Sequence, residues 1–540
     1  MTALRGVGTM ALGTVASRAT GFLRTAVLVA VLGVKTVPLA FNVANTAPNI
    51  VYELLLGGIL TSTVVPLLVR AEKDGYGEEY AQRLLTLALL VLGGISVLLV
   101  LFAPVVVDVY LPGSVSPHTR DLAITFARFF LPQVLFYGLG ALLGAWLNTH
   151  GRFGPPMWAP VLNNLVVVGT LVVFALAPGP HDLTSATITG TQVLVLGVGV
   201  TLGIVAQTVA LLPALRATGL RLTLRLDLRG TGLGQAGRLA RWTLFYVVCN
   251  QLVLVVVVRL AAGAPLDRGY PSYTNAFLLW QLPHAVVAVS VITALLPAMS
   301  RAAHDGRLDL LRRQLDSGLR TTTALMVPAA VGLVVLGPAT ATAVFGHGRT
   351  SVDQARFMGE LLAVFACGLV AFSTYQLQLR AFYALQDTRT PALVNLVVNA
   401  VTVAVDVVLY VSLPDRWKVL GLAAGQASSY LVGVVVCTTV LARRVPRDPR
   451  GFVLRTAVRC LTAAALPALV ALVVTRLAGD ALGRATTGSL AALLAGGLVL
   501  AVGYLGIARR LRVPEVDLVA APLLRAAQGA PLIGRTRRSE

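Results

Sequence analysis

The segment Ser17-Arg18-Ala19-Thr20-Gly21-Phe22-Leu23-Arg24 places two guanidinium groups inside the first apolar run of the chain, about residues 8–34. Each stands about ten residues from the nearer end of that run, roughly 15 Å at 1.5 Å per residue. An arginine cannot snorkel that far, and facing lipid it would cost on the order of 3 kcal/mol on insertion scales. The pair must therefore meet water, a carboxylate or an anionic ligand. A guanidinium fork grips phosphate oxygens bidentately and stays charged. Two forks in one cavity suit a ligand with at least two negative charges, such as a diphosphate. A structural ion pair is the other reading. Positions six apart lie about 120° apart on a straight helix, and Gly21 between them offers a bend that would turn both inward. Ser17 and Phe22 complete this candidate substrate-binding segment.

Further charges lie in other apolar runs. Glu53, in the second, reads as a countercharge for Arg18 or Arg24, or else as a group coupled to a proton or cation. Arg128, in the fourth, fits either a cavity or an interface, and Arg259 fits an interface. In the second half, Asp387-Thr388-Arg389-Thr390-Pro391 has the residues of a capped turn. Asp406 shares its run with Asn395 and Asn399. A carboxylate with amide oxygens holds Na⁺ or a proton, and a helix-to-helix hydrogen bond uses the same groups. Asp387, Asn395, Asn399 and Asp406 are therefore the candidate ion-coupling residues. No catalytic or metal-ligating constellation accompanies them. The six histidines form no cluster, and Cys249, Cys367, Cys437 and Cys460 lack a CxxC pair. A Walker motif GxxxxGK[ST] is absent. No cofactor is expected, and any coupling would draw on the membrane potential, a proton or Na⁺.

The elements that position these groups follow from composition. Of 540 residues, 56% are hydrophobic and 12% charged, about half the charge of an ordinary soluble domain. Mean hydropathy is +0.80. A soluble enzyme is excluded. Continuous apolar runs without in/out alternation predict helices, not a barrel. Candidate spans fall at about 8–34, 38–69, 84–110, 121–147, 156–177, 190–215, 240–262, 271–300, 320–345, 357–385, 391–411, 418–441, 452–477 and 485–508. This is an all-α polytopic membrane protein with about fourteen transmembrane helices.

Net charge is +21, carried almost wholly by arginine. Basic residues crowd the connections after the second, sixth, eighth and twelfth spans and the C-terminal tail, while 111–119 and 178–189 carry none. Both termini are therefore expected in the cytoplasm, where arginines meet anionic headgroups and not nucleic acid. Trp146, Trp158, Trp242 and Trp417 fall near expected interfaces. Pro66, Arg70 and Ala71 recur as Pro297, Arg301 and Ala302, and Pro160 and Asn164 as Pro391 and Asn395, all at one offset of 231. Two parallel six-helix repeats result, 1–230 and 231–445, followed by two extra helices in 446–508 and a basic tail at 509–540.

Several segments together resemble one family. Ser17-Arg18-x-x-Gly21-Phe22-x-Arg24 is similar to the first-helix signature of the MurJ (MviN) lipid II flippases of the multidrug/oligosaccharidyl-lipid/polysaccharide exporter superfamily. Pro48-Asn49 with Pro66, Asn148-x-x-Gly151-Arg152-Phe153, Pro160-x-x-Asn163-Asn164 and Arg380 through Pro391 resemble further segments in matching order. The resemblance implies a two-lobed transporter that moves undecaprenyl-diphosphate-linked peptidoglycan precursor across the cytoplasmic membrane by alternating access. It implies that Arg18 and Arg24 face a cationic cavity and that 452–508 forms a groove for the lipid tail. It makes lipid-linked precursor and membrane lipids the partners, with cell-wall synthesis or division proteins beside them. Leu39, Tyr52-Glu53 and Leu278 stand where the family often carries charge, which makes this cavity less cationic and the member divergent. Export of another polyprenyl-linked saccharide, or a non-transporting scaffold for cell-wall synthesis, are the alternative functions.

Overall fold

A computed structural model describes residues 2–54, 65–180, 182–227, 233–265, 267–446, 451–483 and 485–517. Part of the expected second span, His181, several loop arginines (Arg229, Arg447 and Arg450) and the tail from 518 onward lie outside them. Among the described residues every regular element is helical. Twelve helices are long and apolar enough to cross a membrane, and the bent pair Val352–Cys367 and Leu369–Ala384 adds a thirteenth. The expected span at 38–69 is represented by Thr36–Leu54 and Val65–Lys73 on either side of its undescribed centre.

Two compact units divide the chain. The first contains Met1–Ser272, His347–Ser351 and Pro414–Val419. Its helices are α1 (Thr2–Leu32), α2 (Thr36–Leu54), α3 (Val65–Lys73), α4 (Gly77–Leu101), α5 (Ala103–Tyr110), α6 (Pro117–Phe130), α7 (Gln133–Thr149), α8 (Gly154–Leu176), α9 (Gly190–Val209), α10 (Leu212–Arg216) and α11 (Leu233–Ala262). Two expected spans are each two helices. Phe102 separates α4 from α5, and Leu131-Pro132 separates α6 from α7, where proline denies the next turn its N–H donor. Thr189 opens α9 with a capping box to Gln192. Trp146 is not an interfacial anchor. It is buried in a cluster with Leu68, Tyr80, Leu143 and Leu211, and its Nε1 donates to Thr218 Oγ1 at 3.0 Å. Trp158 and Trp417 are exposed, as anchors should be. Arg259 donates to the carbonyls of Asp108 and Val109 at 2.8 and 3.1 Å, closing the C-terminal end of α5.

The second unit contains α12 (Tyr270–Pro283) from Tyr273 onward, a π-turn at His284–Ala288, α13 (Val289–His304), α14 (Leu308–Phe345), α15 (Val352–Cys367), α16 (Leu369–Ala384), α17 (Arg389–Ser412), α18 (Asp415–Leu441) from Leu420 onward, α19 (Phe452–Leu482) and α20 (Thr486–Arg510). Its core is aromatic: Trp280 lies 5.7 Å from Phe365 and 4.9 Å from Phe372, which lies 4.7 Å from Tyr430. Small residues let α19 and α20 pack closely against α14, with Ala463, Ala464, Ala471 and Ala508 fully buried. Both proline–asparagine pairs of the repeat stand early in a helix, Pro160 and Asn164 in α8 and Pro391 and Asn395 in α17, and both asparagines are buried.

The short segment His347–Ser351 seats on the end of α1. Arg349 N–H donates to the Ala30 carbonyl at 2.8 Å and Thr350 Oγ1 to that of Val29 at 3.0 Å. Gly348 has φ +61°, and a Cβ there would stand 2.2 Å from the Ala30 oxygen. Gly306 has φ +69° with nothing within 4 Å of the same added atom. Gly348→Ala is therefore expected to lower the apparent melting temperature in detergent by several degrees more than Gly306→Ala, which meets only the left-handed strain of about 1–2 kcal/mol. Parallel thermal-shift curves check this.

Candidate functional site

The first-helix signature lies in α1, which runs unbroken through Gly21. The glycine serves close approach instead of a helix break: a Cβ would meet Asn164 Nδ2 of α8 at 3.4 Å. Buried Asn164 donates to the Ser17 carbonyl at 3.2 Å and to Thr20 Oγ1 at 3.0 Å. These bonds fix the rotation of α1 on α8. Phe22 is half-buried, Arg18 is exposed and Arg24 is half-buried. Arg24 is eight residues from Leu32, about 12 Å of helix.

Arg24 lies within electrostatic reach of the Tyr137 hydroxyl on α7. That phenol donates to Asn49 Oδ1 on α2 at 3.3 Å, and its ring lies 4.6 Å from that of Tyr52. Tyr52 and Tyr137 then line a cavity of about 210 Å³ in the first unit, with Asn148, Pro156, Pro160 and Gln207 among its walls. No carboxylate is among the lining residues. The neighbourhood thus offers phenol and amide groups beside a fixed cation, an arrangement suited to phosphate oxygens and unsuited to a cationic ligand.

Glu53 is exposed and accepts a 2.7 Å hydrogen bond from Gln251 Nε2 of α11. Arg128 sits in the last turn of α6 on the exposed face that also carries Asp121, opposite buried Phe126 and Phe130. Leu39 is buried at 3% exposure and Leu278 is half-buried, so apolar packing occupies two positions where the family resemblance leads one to look for charge. Tyr137 and Gln251 were not singled out from sequence. Gln251 is detectable as an amide within a continuous apolar run, whereas a tyrosine between Phe136 and Gly138 carries no such signal.

In the second unit Asn395, Asn399, Thr402 and Asp406 form one buried stripe along α17, at i, i+4, i+7 and i+11. Asp406 is fully buried, and neither of its carboxylate oxygens has a hydrogen-bond partner. It faces Gly425 of α18, where an added Cβ would collide with Oδ1. Asp387 lies elsewhere, since the 17 residues from Arg389 to Asp406 span roughly 25 Å of helix. Its Oδ1 accepts the Thr390 N–H at 2.9 Å, and Oδ2 pairs with Arg444, whose other nitrogen reaches Thr390 Oγ1 at 3.2 Å. The structure therefore places Asp406 on the same buried face as Asn399 and Asn395, about 10 and 16 Å away along the helix axis, and places Asp387 in a turn.

The pattern defining the "Lipid II flippase MurJ" family matches residues 28–524. The chain belongs to the lipid II flippase MurJ family. This is a transporter family, not one of catalytic enzymes. The lipid II flippase MurJ of Burkholderia cenocepacia is 30% identical over 72% of this chain and 75% of that protein. A Rhizobium meliloti protein described as a probable lipid II flippase MurJ is 26% identical over 82% of this chain and 81% of its own length. Among solved structures, a lipid II flippase MurJ in an inward closed conformation matches the fold with a TM-score of 0.74 at 19% identity, covering 93% of this chain and 99% of that one. The MurJ fold accounts for a polytopic chain whose described residues are helical in every regular element.

Partial burial raises the Asp387 carboxyl, but hydrogen bonds from Thr390 and the Arg444 guanidinium hold it below the usual carboxylate range. A group with a lowered folded pKa contributes its full stability above the unfolded value, about 3.9 for aspartate, and loses it as pH falls through the lower folded value. Asp387→Asn should therefore flatten the acid limb of the apparent melting temperature below about pH 5 and lower the plateau near neutrality. A pH series of thermal unfolding measures both.

Proposed function

We infer that this chain is a lipid II flippase. It moves the undecaprenyl-diphosphate-linked peptidoglycan precursor from the cytoplasmic to the outer leaflet by alternating access. A diphosphate-linked glycopeptide headgroup faces a hydrocarbon barrier about 30 Å thick, and a charge-matched aqueous path removes that barrier. The observation that carries the reading is Arg24, deep in a membrane helix beside the Tyr52–Tyr137 cavity, in a chain matched to this family across residues 28–524. Arg24 grips the diphosphate, its position set by Tyr137, Asn49 and Tyr52, while Arg18, exposed about 120° around the same unbroken helix, supplies a second guanidinium as the headgroup approaches. Ser17, Gly21 and Phe22 hold α1 at the rotation this requires. Glu53, tethered to Gln251, and Arg128 tune the field around the headgroup. Both termini lie in the cytoplasm, and cell-wall synthesis or division proteins are the natural neighbours of such a carrier.

An assay that resolves lipid II by leaflet, in a strain depleted of its own flippase, tests this directly. The wild-type chain should restore outer-leaflet precursor. Arg18→Ala/Arg24→Ala should reduce the flipping rate by about 10–100-fold, the equivalent of one or two charged hydrogen bonds, with unchanged amounts of folded protein in the membrane. Full activity of the double variant overturns the arginine assignment. Precursor left in the inner leaflet by the wild-type chain overturns transport and favours a scaffold.

Asp406 supplies the coupling element of this proposal. An ionised carboxylate buried without a partner is costly, so it takes up a proton or a cation such as Na⁺, with Asn395 and Asn399 on the same stripe. Asp406→Asn is expected to abolish the dependence of flipping on the pH or Na⁺ gradient in vesicles while leaving gradient-free exchange measurable. An unaltered dependence on either gradient overturns the Asp406 assignment and moves the coupling to another group.

A further inference from the structure

The first unit carries a second cavity, of about 300 Å³, separate in character from the one beside Tyr137. Leu85 and Leu89 of α4, Leu139 and Leu143 of α7, and Val209 and Leu212 at the α9–α10 join make up most of its wall. The remaining side is the extended segment after α10. From Arg221 to Asp227 that segment alternates polar and leucine residues, the period that sends successive side chains to opposite faces.

Its polar face is bound to α4. Gln82 Nε2 donates to the Arg221 carbonyl at 2.8 Å, and Arg221 N–H donates to Glu78 Oε1 at 3.1 Å. Arg225 N–H donates to Thr86 Oγ1 at 2.9 Å, and its Nε to Gln82 Oε1 at 2.8 Å. Ion pairs join Arg83 to Asp227 and Arg225 to Glu79, both at 3.4 Å. The other face presents Leu222, Leu224 and Leu226 at 58%, 72% and 77% exposure. A segment this firmly held, with three leucines turned outward, needs an apolar medium on that side.

Of the three hydroxyls that line the cavity, those of Thr86 and Thr208 are already engaged, which leaves Thr223. Thr86 Oγ1 donates to the Gln82 carbonyl and accepts from Arg225 N–H, while Thr208 Oγ1 donates to the carbonyls of Phe136 and Ile204. A hydrated or sugar-like occupant would find at most the single Thr223 hydroxyl there, whereas a hydrocarbon chain needs no partner. The rim differs. Glu79 and Asp227 are balanced by Arg83 and Arg225, and Glu78 is engaged by Gln82 and a backbone N–H. Arg216 and Arg221 are both exposed and make no ion pair among the described residues. Leu85 lies eight residues inside α4 and Leu143 six residues inside the end of α7, roughly 9–12 Å below the arginines' level. The arginine-rich connections place these helix ends at the cytoplasmic leaflet, where anionic lipids concentrate.

We propose that this cavity binds one acyl chain of an anionic phospholipid of the cytoplasmic leaflet, with Arg216 and Arg221 holding its phosphate. The lipid braces the Arg221–Asp227 segment against α4, α7 and α9. It is a structural ligand, distinct from the transported precursor, and its binding does not depend on the transport reading.

The test uses the full chain reconstituted in phosphatidylcholine vesicles with a trace of acyl-diazirine phosphatidylglycerol or acyl-diazirine phosphatidylcholine. Adducts are mapped by mass spectrometry. The glycerol lipid should label residues 85–89 and 209–212 about tenfold more than the choline lipid, the preference expected from two surface arginines. Arg216→Gln/Arg221→Gln should erase that preference while labelling elsewhere on the chain is unchanged. Leu139→Trp, which fills the cavity and leaves the rim intact, should remove labelling at 85–89 by either lipid. Equal labelling by both lipids in the wild type overturns the proposal, as does labelling that survives both variants. Displacement of the probe by undecaprenyl diphosphate but not by unlabelled phosphatidylglycerol also overturns it, by assigning the cavity to a polyprenyl chain.

Discussion

Nearly everything in this molecule follows from the absence of water along most of the chain's length. A backbone amide or a charged side chain inside the bilayer must find its partner within the protein. Helices satisfy the amides automatically, which is why the described residues contain no other regular element. Side chains have no automatic solution, and the spans contain polar groups that a neighbour matches and others that none does. Asn164 shows the first outcome, with both of its amide hydrogens placed on α1. Asp406 shows the second, with both oxygens buried and unmatched.

The same rule separates the charged groups that sequence alone leaves grouped together. Asp387 and Asp406 belong to one stretch of chain and to one class of candidate. Packing divides them by giving Asp387 a guanidinium and a helix N-terminus while giving Asp406 only a glycine face. The two first-helix arginines divide in a comparable way. Arg24 comes to rest half-buried within electrostatic reach of the Tyr137 phenol, while Arg18 stays exposed on a helix that does not bend for it.

The architecture was readable because hydrophobic length is a one-dimensional property. Run lengths, arginine-rich connections and the offset of 231 lead to a helical membrane protein of about this many spans without any knowledge of contacts. Breaks at Phe102 and Pro132 were less readable, since an apolar run continues through both and only the backbone turns. The candidate site was legible to the extent that charge in an apolar run is conspicuous, which is how Arg18, Arg24 and Asp406 become candidates. Tyr137 was not, because a phenol is apolar enough to pass for core and its role appears only when α7 brings it to Arg24. Trp146 misled for the converse reason: a tryptophan near a span end is equally at home under a loop, and Thr218 supplies the partner that decides it.

Asymmetry between the two units completes the physical picture. The first unit sets a half-buried cation within electrostatic reach of Tyr137, near a cavity with no carboxylate among its lining residues. The second unit is built on an aromatic core and carries, on α17 against α18, a buried acid whose oxygens have no hydrogen-bond partner. A positive group in one unit and a neutralisable negative group in the other respond in opposite senses to the same membrane field. Under the proposed function, substrate and ion would each be sensed by helices of a different unit, which a single mixed cluster of Arg and Asp would prevent by pairing them permanently.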